Sequence, residues 1–422
     1  MSKFSRFSVL TAVSGLMLAG IAYAVSTPRP ASKSVASKAT PPAVSIQSEF
    51  NSLTPTKAQS GPWGDLEWTT TYIEAPNDIL DGLRKPDATP HWVFPDGTEA
   101  SLRALFNRAG LAADVQQHLF DPKRVLIQGN TLTLFPQPAD LEALKPQTRE
   151  IIYAELAKWP VNEYYYSPVI IAGSLEDWLR DTKLRPQLQD VIRKVCYRRG
   201  NALAFSDLRV LFDYAVSDSE IEHIFKTITR TRTLVGELKL SPGSDIGQLL
   251  SYWTGGQPDS EIRPILEAAG ARTGGSTIDI MHLLPPLARR RLYTFPTTDL
   301  IARGRYPDAH WTSFNFFTNS PQDPNLDLRP DDNHLLESYD QVKPPYRLGD
   351  LLCLLSAKGE IAHECVYIAD DVVFTKNGPN SIKPWVLLPL KEVVDYFSQS
   401  ANGDIKAYRR KWESAVATEA KP

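Results

Sequence analysis

PYRLGDLLCLLSAKGEIAHECVYIADDVVFTKNGPNSIKPWVLLPL, from Pro345 to Leu390, is the stretch that decides the fold. Short apolar runs alternate with polar links, and they predict strands over Asp350–Ser356, Ile361–Ile368, Val372–Thr375 and Trp385–Leu388. Ala357-Lys358-Gly359-Glu360 and Ala369-Asp370-Asp371 are turn sequences that join such strands into a meander of hairpins. Successive side chains of a strand point to opposite faces, so His363, Cys365 and Tyr367 share one face.

Upstream, residues 63–298 read as mainly helical. Thr98–Ala109 carries Leu102, Leu105, Phe106 and Ala109 on one helical stripe, with Gly110 as its stop. Gln147–Trp159, Ser206–Tyr214, Asp218–Arg232 and Asp259–Ala269 are further expected helices, and Val125–Phe135 is an expected hairpin around Gly129-Asn130. A weak internal repeat runs through this region. Leu102-x-x-Leu105-Phe106-x-x-Ala109-Gly110 returns as Ile262-x-x-Ile265-Leu266-x-x-Ala269-Gly270, and Leu144-x-Pro146-x-x-Arg149-x-x-x-Tyr153 returns as Leu284-x-Pro286-x-x-Arg289-x-x-x-Tyr293. This reads as a duplicated helix–hairpin–helix unit, or as a coincidence of common helical patterns.

The N-terminus has the pattern of an export signal. Lys3 and Arg6 precede the apolar run Val9–Ala22, and Ala22-Tyr23-Ala24 supplies a small-residue cleavage site. The alternative is an uncleaved anchor; no Cys follows the run, which excludes a lipoprotein. Residues 25–62 are rich in Ser, Pro, Ala, Lys and Thr, too polar to bury a core, and are expected to form a disordered linker. The predicted organisation is a signal (1–24), this linker, a helical region (63–298), a small antiparallel-sheet domain (299–412) and a tail (413–422). The fold class is α+β, in a periplasmic or extracellular protein that meets a membrane only through an uncleaved N-terminus.

Composition narrows the function. A chain of 422 residues with 42% hydrophobic content can form two proper cores, and a formal charge of −3 gives no basic surface for nucleic acid. The three cysteines, Cys196, Cys353 and Cys365, form no C-x-x-C pair, so neither zinc nor a redox motif is indicated; Cys353 and Cys365 lie on adjacent predicted strands. H-E-x-x-H and G-x-S-x-G are both missing from the sequence. No metal or cofactor is expected. The aromatic run Trp159–Pro168 could stack on sugars or belong to a core.

Gly349-Asp350, a strand, a turn, His363, Val366-Tyr367, an acidic turn and a short apolar strand together resemble the C-terminal half of NlpC-type cell-wall peptidases. The resemblance implies a reduced papain-like domain with a Cys–His–polar catalytic set. In that family the Cys follows an Asp at the start of a helix, where the helix N-terminus and a neighbouring imidazole favour thiolate. The corresponding stretch is Tyr306-Pro307-Asp308-Ala309-His310-Trp311-Thr312-Ser313-Phe314, with Asp308 as N-cap and Ala309 in the nucleophile's place. His363 then takes the base's position. Thr375 or Asn377 is its expected orienting partner, although Asn377 can equally begin the Asn377-Gly378-Pro379-Asn380 turn.

Three readings follow. The first is a non-catalytic papain-like module that binds a peptidoglycan peptide or an envelope protein. The second is a working amidase or endopeptidase with another nucleophile, such as Cys365 or Ser313. The third is an exported helical structural protein unrelated to peptidases. If position 309 replaces the nucleophile, its side chain should face His363 across a groove, which the Pro- and Asp-rich stretch 319–343 could border.

Overall fold

The structure is a computed structural model that describes residues 56–57, 60–86, 89–255, 261–297, 307–319, 337–378 and 380–411. The expected signal, most of the linker, most of 319–343 and the tail lie outside these residues. The described residues belong to one compact unit of α+β architecture.

The long strand β1–β2 ribbon begins earlier than expected: β1 (Thr56–Lys57) lies within the predicted linker and pairs with β2 (Asp65–Ile73). Backbone pairing to an open sheet edge needs no apolar side chain, which is why composition misses it. A short helix, α1 (Asn77–Leu80), follows.

Three successive units then share a strand, two helices and a return to the sheet, by a two-stranded hairpin in the first two and by a single strand in the third. The first is β3 (Trp92–Pro95), α2 (Glu99–Arg108), α3 (Ala113–Leu119), β4 (Val125–Gln128) and β5 (Thr131–Leu134), trailed by α4 (Pro138–Ala143), α5 (Pro146–Leu156) and α6 (Glu163–Tyr166). The second is β6 (Val169–Ile171), α7 (Leu175–Leu179), α8 (Pro186–Val195), β7 (Tyr197–Arg199) and β8 (Ala202–Phe205), trailed by α9 (Leu208–Asp213) and α10 (Asp218–Thr229). The third is β9 (Thr231–Leu240), α11 (Ile246–Trp253), α12 (Arg263–Gly270) and β10 (Ser276–Asp279), trailed by α13 (Pro286–Arg291). In each, the opening strand pairs antiparallel with the unit's last strand: β3 with β5, β6 with β8, β9 with β10. In each, a side chain caps the first helix by accepting the N–H three residues on: Thr98 from Ser101, Ser174 from Asp177, Asp245 from Gln248. Gly129 and Gly200, at φ 58° and 60°, open the two-residue β4–β5 and β7–β8 turns, a conformation that favours glycine.

Of the expected duplication, the second block keeps its place in this order, since Leu144–Tyr153 and Leu284–Tyr293 both lie on trailing helices that open on proline, α5 and α13, but the first block does not. The similar stripes of Leu102–Gly110 and Ile262–Gly270 fall on a first helix and a second helix respectively, so they reflect shared amphipathic spacing and not equivalent places. The region is also less helical than expected, since it supplies three antiparallel sheets. The predicted helix Asp218–Arg232 stops at Thr229, and the alternating Thr231, Thr233 and Val235 continue as β9, paired residue for residue with β2 from Ile73↔Thr231 to Asp65↔Lys239.

The C-terminal sheet has the order β11 (Tyr339–Val342), β16 (Ile405–Arg410), β12 (Leu351–Leu355), β13 (Ile361–Ala369), β14 (Val372–Lys376), β15 (Trp385–Pro389), all antiparallel. The expected meander is present as β12–β15. One face, carrying Val366, Phe374, Trp385 and Leu387, packs into a core with Trp68, Leu238 and Trp253 of the β2–β9 sheet. Thr233 ties the layers: its hydroxyl donates to the Leu387 carbonyl at 3.2 Å and accepts the Leu387 N–H at 3.0 Å. The core thus runs across residue 298, the expected bound between the helical region and the sheet domain. The opposite face packs Cys365, Tyr367, Val373, Val386 and Leu388 around Val393 of α15 (Leu390–Tyr396). The remaining helix, α14 (Ala309–Phe314), starts where expected, with Asp308 capping the Trp311 N–H at 2.9 Å.

Candidate functional site

Strand alternation and the register Val366↔Phe374 put His363 and Thr375 on the α15 face of the sheet. There the imidazole Nε2 lies 2.9 Å from Thr375 Oγ1, and Thr375 in turn donates to Asn377 Oδ1 at 3.3 Å. With the threonine proton spent on Asn377, Nε2–H donates to Thr375, which leaves Nδ1 as the basic nitrogen. The three residues predicted from the sequence are therefore brought together in one hydrogen-bonded row, with both Thr375 and Asn377 taking part.

The row is shut off from solvent. His363 is 5% exposed, and its ring lies flat on Phe397, with centroids 3.9 Å apart and planes 16° from parallel. Burial without an acidic neighbour pushes the imidazole pKa down to about 3, so the ring is neutral at physiological pH. Cys365 shares this face but is fully buried; its thiol is held well above the ordinary range, by burial first and by Glu364 second, and its Sγ contacts the Leu352 carbonyl at 3.8 Å. A thiol so placed is a packing group.

Ala309 is not brought to His363. Helix α14 sits on the other face of the sheet: Trp385 Nε1 donates to Thr312 Oγ1 at 2.8 Å, and Phe316 packs on Phe374 with centroids 5.8 Å apart. The sheet separates position 309 from the imidazole, so the expected approach across a groove is corrected. Sequence spacing set the start of this helix but carried no information about which face it covers. Cys353 and Cys365 are also divided by the sheet and are free thiols, as is Cys196.

The α14 face holds groups that the sequence reading left without a role. Glu364, next to His363 but out of phase with it, receives His310 Nδ1 at 2.7 Å and lies 3.9 Å from Cys353 Sγ through its other oxygen. Period two applied to Glu364 as well as His363, with Asp308-Ala309-His310 read as a helix start, is the signal that could have found this pair. Lys376 is buried on the same side, its Nζ donating to the Gly378 and Asn380 carbonyls at 2.6 and 3.0 Å; burial, only partly offset by Asp308, lowers its pKa to about 7.

Within the aromatic run, Tyr165 is core: its hydroxyl accepts Trp92 Nε1–H at 2.9 Å. Tyr166 is exposed. Among the described residues no cluster of His, Cys, Asp and Glu could hold a metal ion, and no helix is long and apolar enough to cross a membrane. Compared with known proteins, the chain matches no family model, no curated protein and no solved structure.

Proposed function

We propose that this chain is an exported, non-catalytic module of the cell envelope that binds a peptidoglycan peptide or an envelope protein. On this reading its C-terminal sheet derives from an NlpC-type, papain-like hairpin whose His363–Thr375–Asn377 row now serves packing. The observation that carries it is the seal over His363. An imidazole stacked on Phe397, buried and held neutral, has no room for a substrate amide, and the helix bearing Ala309 lies on the far side of the sheet. General-base catalysis needs the base within hydrogen-bond reach of the proton it removes.

The test uses mature protein and purified sacculi. Retention of the protein on sacculi, with no release of soluble stem peptides over long incubation, is the expected result. Release of peptides that disappears in His363→Ala would overturn the non-catalytic reading, and absence of retention would remove the peptidoglycan partner.

A second reading rests on His310. Its Nδ1 is oriented by a buried carboxylate, the arrangement that leaves Nε2 available to move a proton, and the ring remains partly accessible. Peptide release abolished by His310→Ala but unchanged in His363→Ala would favour this reading.

A further inference from the structure

The cover over His363 is a short span between two anchors. Before it, Glu392 pairs with the buried Arg232, and Val393 is fully buried in the core of this face. After it, Ala401 is buried and the Asn402 N–H donates to the Leu355 carbonyl at 2.8 Å. Between the anchors, Tyr396, Phe397 and Ser398 are half-buried, and Gln399 and Ser400 are exposed. Phe397 lays its ring on the imidazole, whose Nδ1 receives no hydrogen bond among the described residues. Spans with few buried apolar side chains and solvent-exposed hydrogen bonds are the first to open.

What holds this span from outside is the second repeated unit. Its β7–β8 turn lies against the end of α15: the Asn201 N–H donates to Ser398 Oγ at 3.1 Å, and Asn201 Nδ2 donates to Asp395 Oδ1 at 3.1 Å. The approach is close. A Cβ on Gly200 would stand 2.3 Å from Ser398 Oγ, whereas a Cβ on Gly129, at the same place in the first unit and at nearly the same φ, would meet nothing within 4 Å. Both turns read Gly-Asn, so the same pair closes a hairpin in one unit and closes a hairpin and docks in the other.

We propose that residues 396–400 form a lid over His363 and that the Gly200-Asn201 turn is its latch. The second repeated unit then sets how often the imidazole meets solvent. Withdrawal of the turn frees Nδ1 for the N–H or O–H of a ligand, and docking of the turn denies it. This goes beyond the binding role proposed above, since it concerns control of the row and holds whatever the protein binds.

Diethylpyrocarbonate, which acylates accessible neutral imidazole, tests this on the mature full-length protein at neutral pH. Peptide mapping separates His363 from the other histidines, and the exposed His118 serves as reference. In the wild type His363 should react far more slowly than His118. Gly200→Ala should speed His363, relative to His118, by about tenfold or more, the effect on an opening equilibrium of losing two ordinary hydrogen bonds. Gly129→Ala imposes the same turn strain without a contact and should leave the wild-type rate. The double variant Asn201→Ala/Ser398→Ala removes both hydrogen bonds without crowding, and it carries the test if Gly200→Ala does not fold. An unchanged His363 rate in the latch variants, or the same acceleration in Gly129→Ala, overturns the proposal. So does a wild-type His363 that reacts as fast as His118. The assay contains no sacculi, so its outcome is separate from that of the peptidoglycan reading.

Discussion

The imidazole of His363 lies flat on Phe397, the residue that ends α15, and donates edgewise to Thr375 on the neighbouring strand. A ring fixed on its face and at its edge is held as firmly as any apolar core residue, and its chemistry follows from that confinement.

Acid sensitivity is the first consequence. The folded pKa of about 3 lies below the ordinary 6.5, so between these values the unfolded chain binds a proton that the native protein excludes. His363 therefore leaves stability intact above about pH 6.5 and removes it as pH falls towards 3, at about 1.4 kcal/mol per pH unit. Urea denaturation across this range should show the slope, and His363→Gln should flatten it. In Phe397→Ala the imidazole pKa, followed by NMR, should rise towards its ordinary value as water enters.

Lys376 acts at the other end of the pH scale. Its folded pKa of about 7 lies below the ordinary 10.5, so the unfolded state again binds more protons between the two, and stability rises with pH through that window. Lys376→Met should abolish the rise. An unchanged pH profile in the variant would show that the ammonium stays charged in the folded protein.

Asp207 is the anchor between the first two repeated units. It is fully buried, receives Arg149 Nε at 3.0 Å and Tyr153 Oη at 2.7 Å, and lets Arg149 also serve the carbonyls of Leu141, Leu144 and Lys194. Asp207→Ala strands a buried guanidinium and should cost about 3–5 kcal/mol in chemical denaturation. A loss under about 1 kcal/mol would mean that the arginine finds solvent.

Position 309 offers a direct chemical check. Because the sheet stands between it and His363, Ala309→Cys should introduce a thiol that this imidazole does not activate. Whatever the helix N-terminus and the adjacent His310 do to the thiol, its alkylation rate against pH should be the same with and without His363→Gln. A thiol titration that moves up when His363 is replaced would require that imidazole to reach position 309 and would overturn the placement of α14.

How legible this was in the sequence depended on which force fixed each element. The β12–β15 meander was readable to within a residue or two at each end, because alternation and turn residues are local signals, and the same parity paired His363 with Thr375. The start of β9 was read as the end of a helix: the expected helix Asp218–Arg232 took in Thr231 and Arg232, and the rest of Thr231–Leu240, fixed by pairing with the distant β2, was given no element. The second repeated unit escaped notice because its helix Leu175–Leu179 is too short to show periodicity, although Gly200-Asn201 repeats the Gly129-Asn130 turn. The face covered by α14, and with it the separation of Ala309 from His363, is a tertiary choice that residue spacing does not encode.

The pairing of Ile73 with Thr231 sets a clock on biosynthesis. Strand β2 is made early, yet its long partner lies beyond the whole stretch from residue 74 to residue 230, so the ribosome must deliver two complete repeated units first. At the usual pace of about 5–20 residues per second the wait is roughly 8–31 s, during which the nascent chain carries an open strand edge. Any synonymous change that slows translation between the two strands lengthens the time for which that edge can pair with another chain.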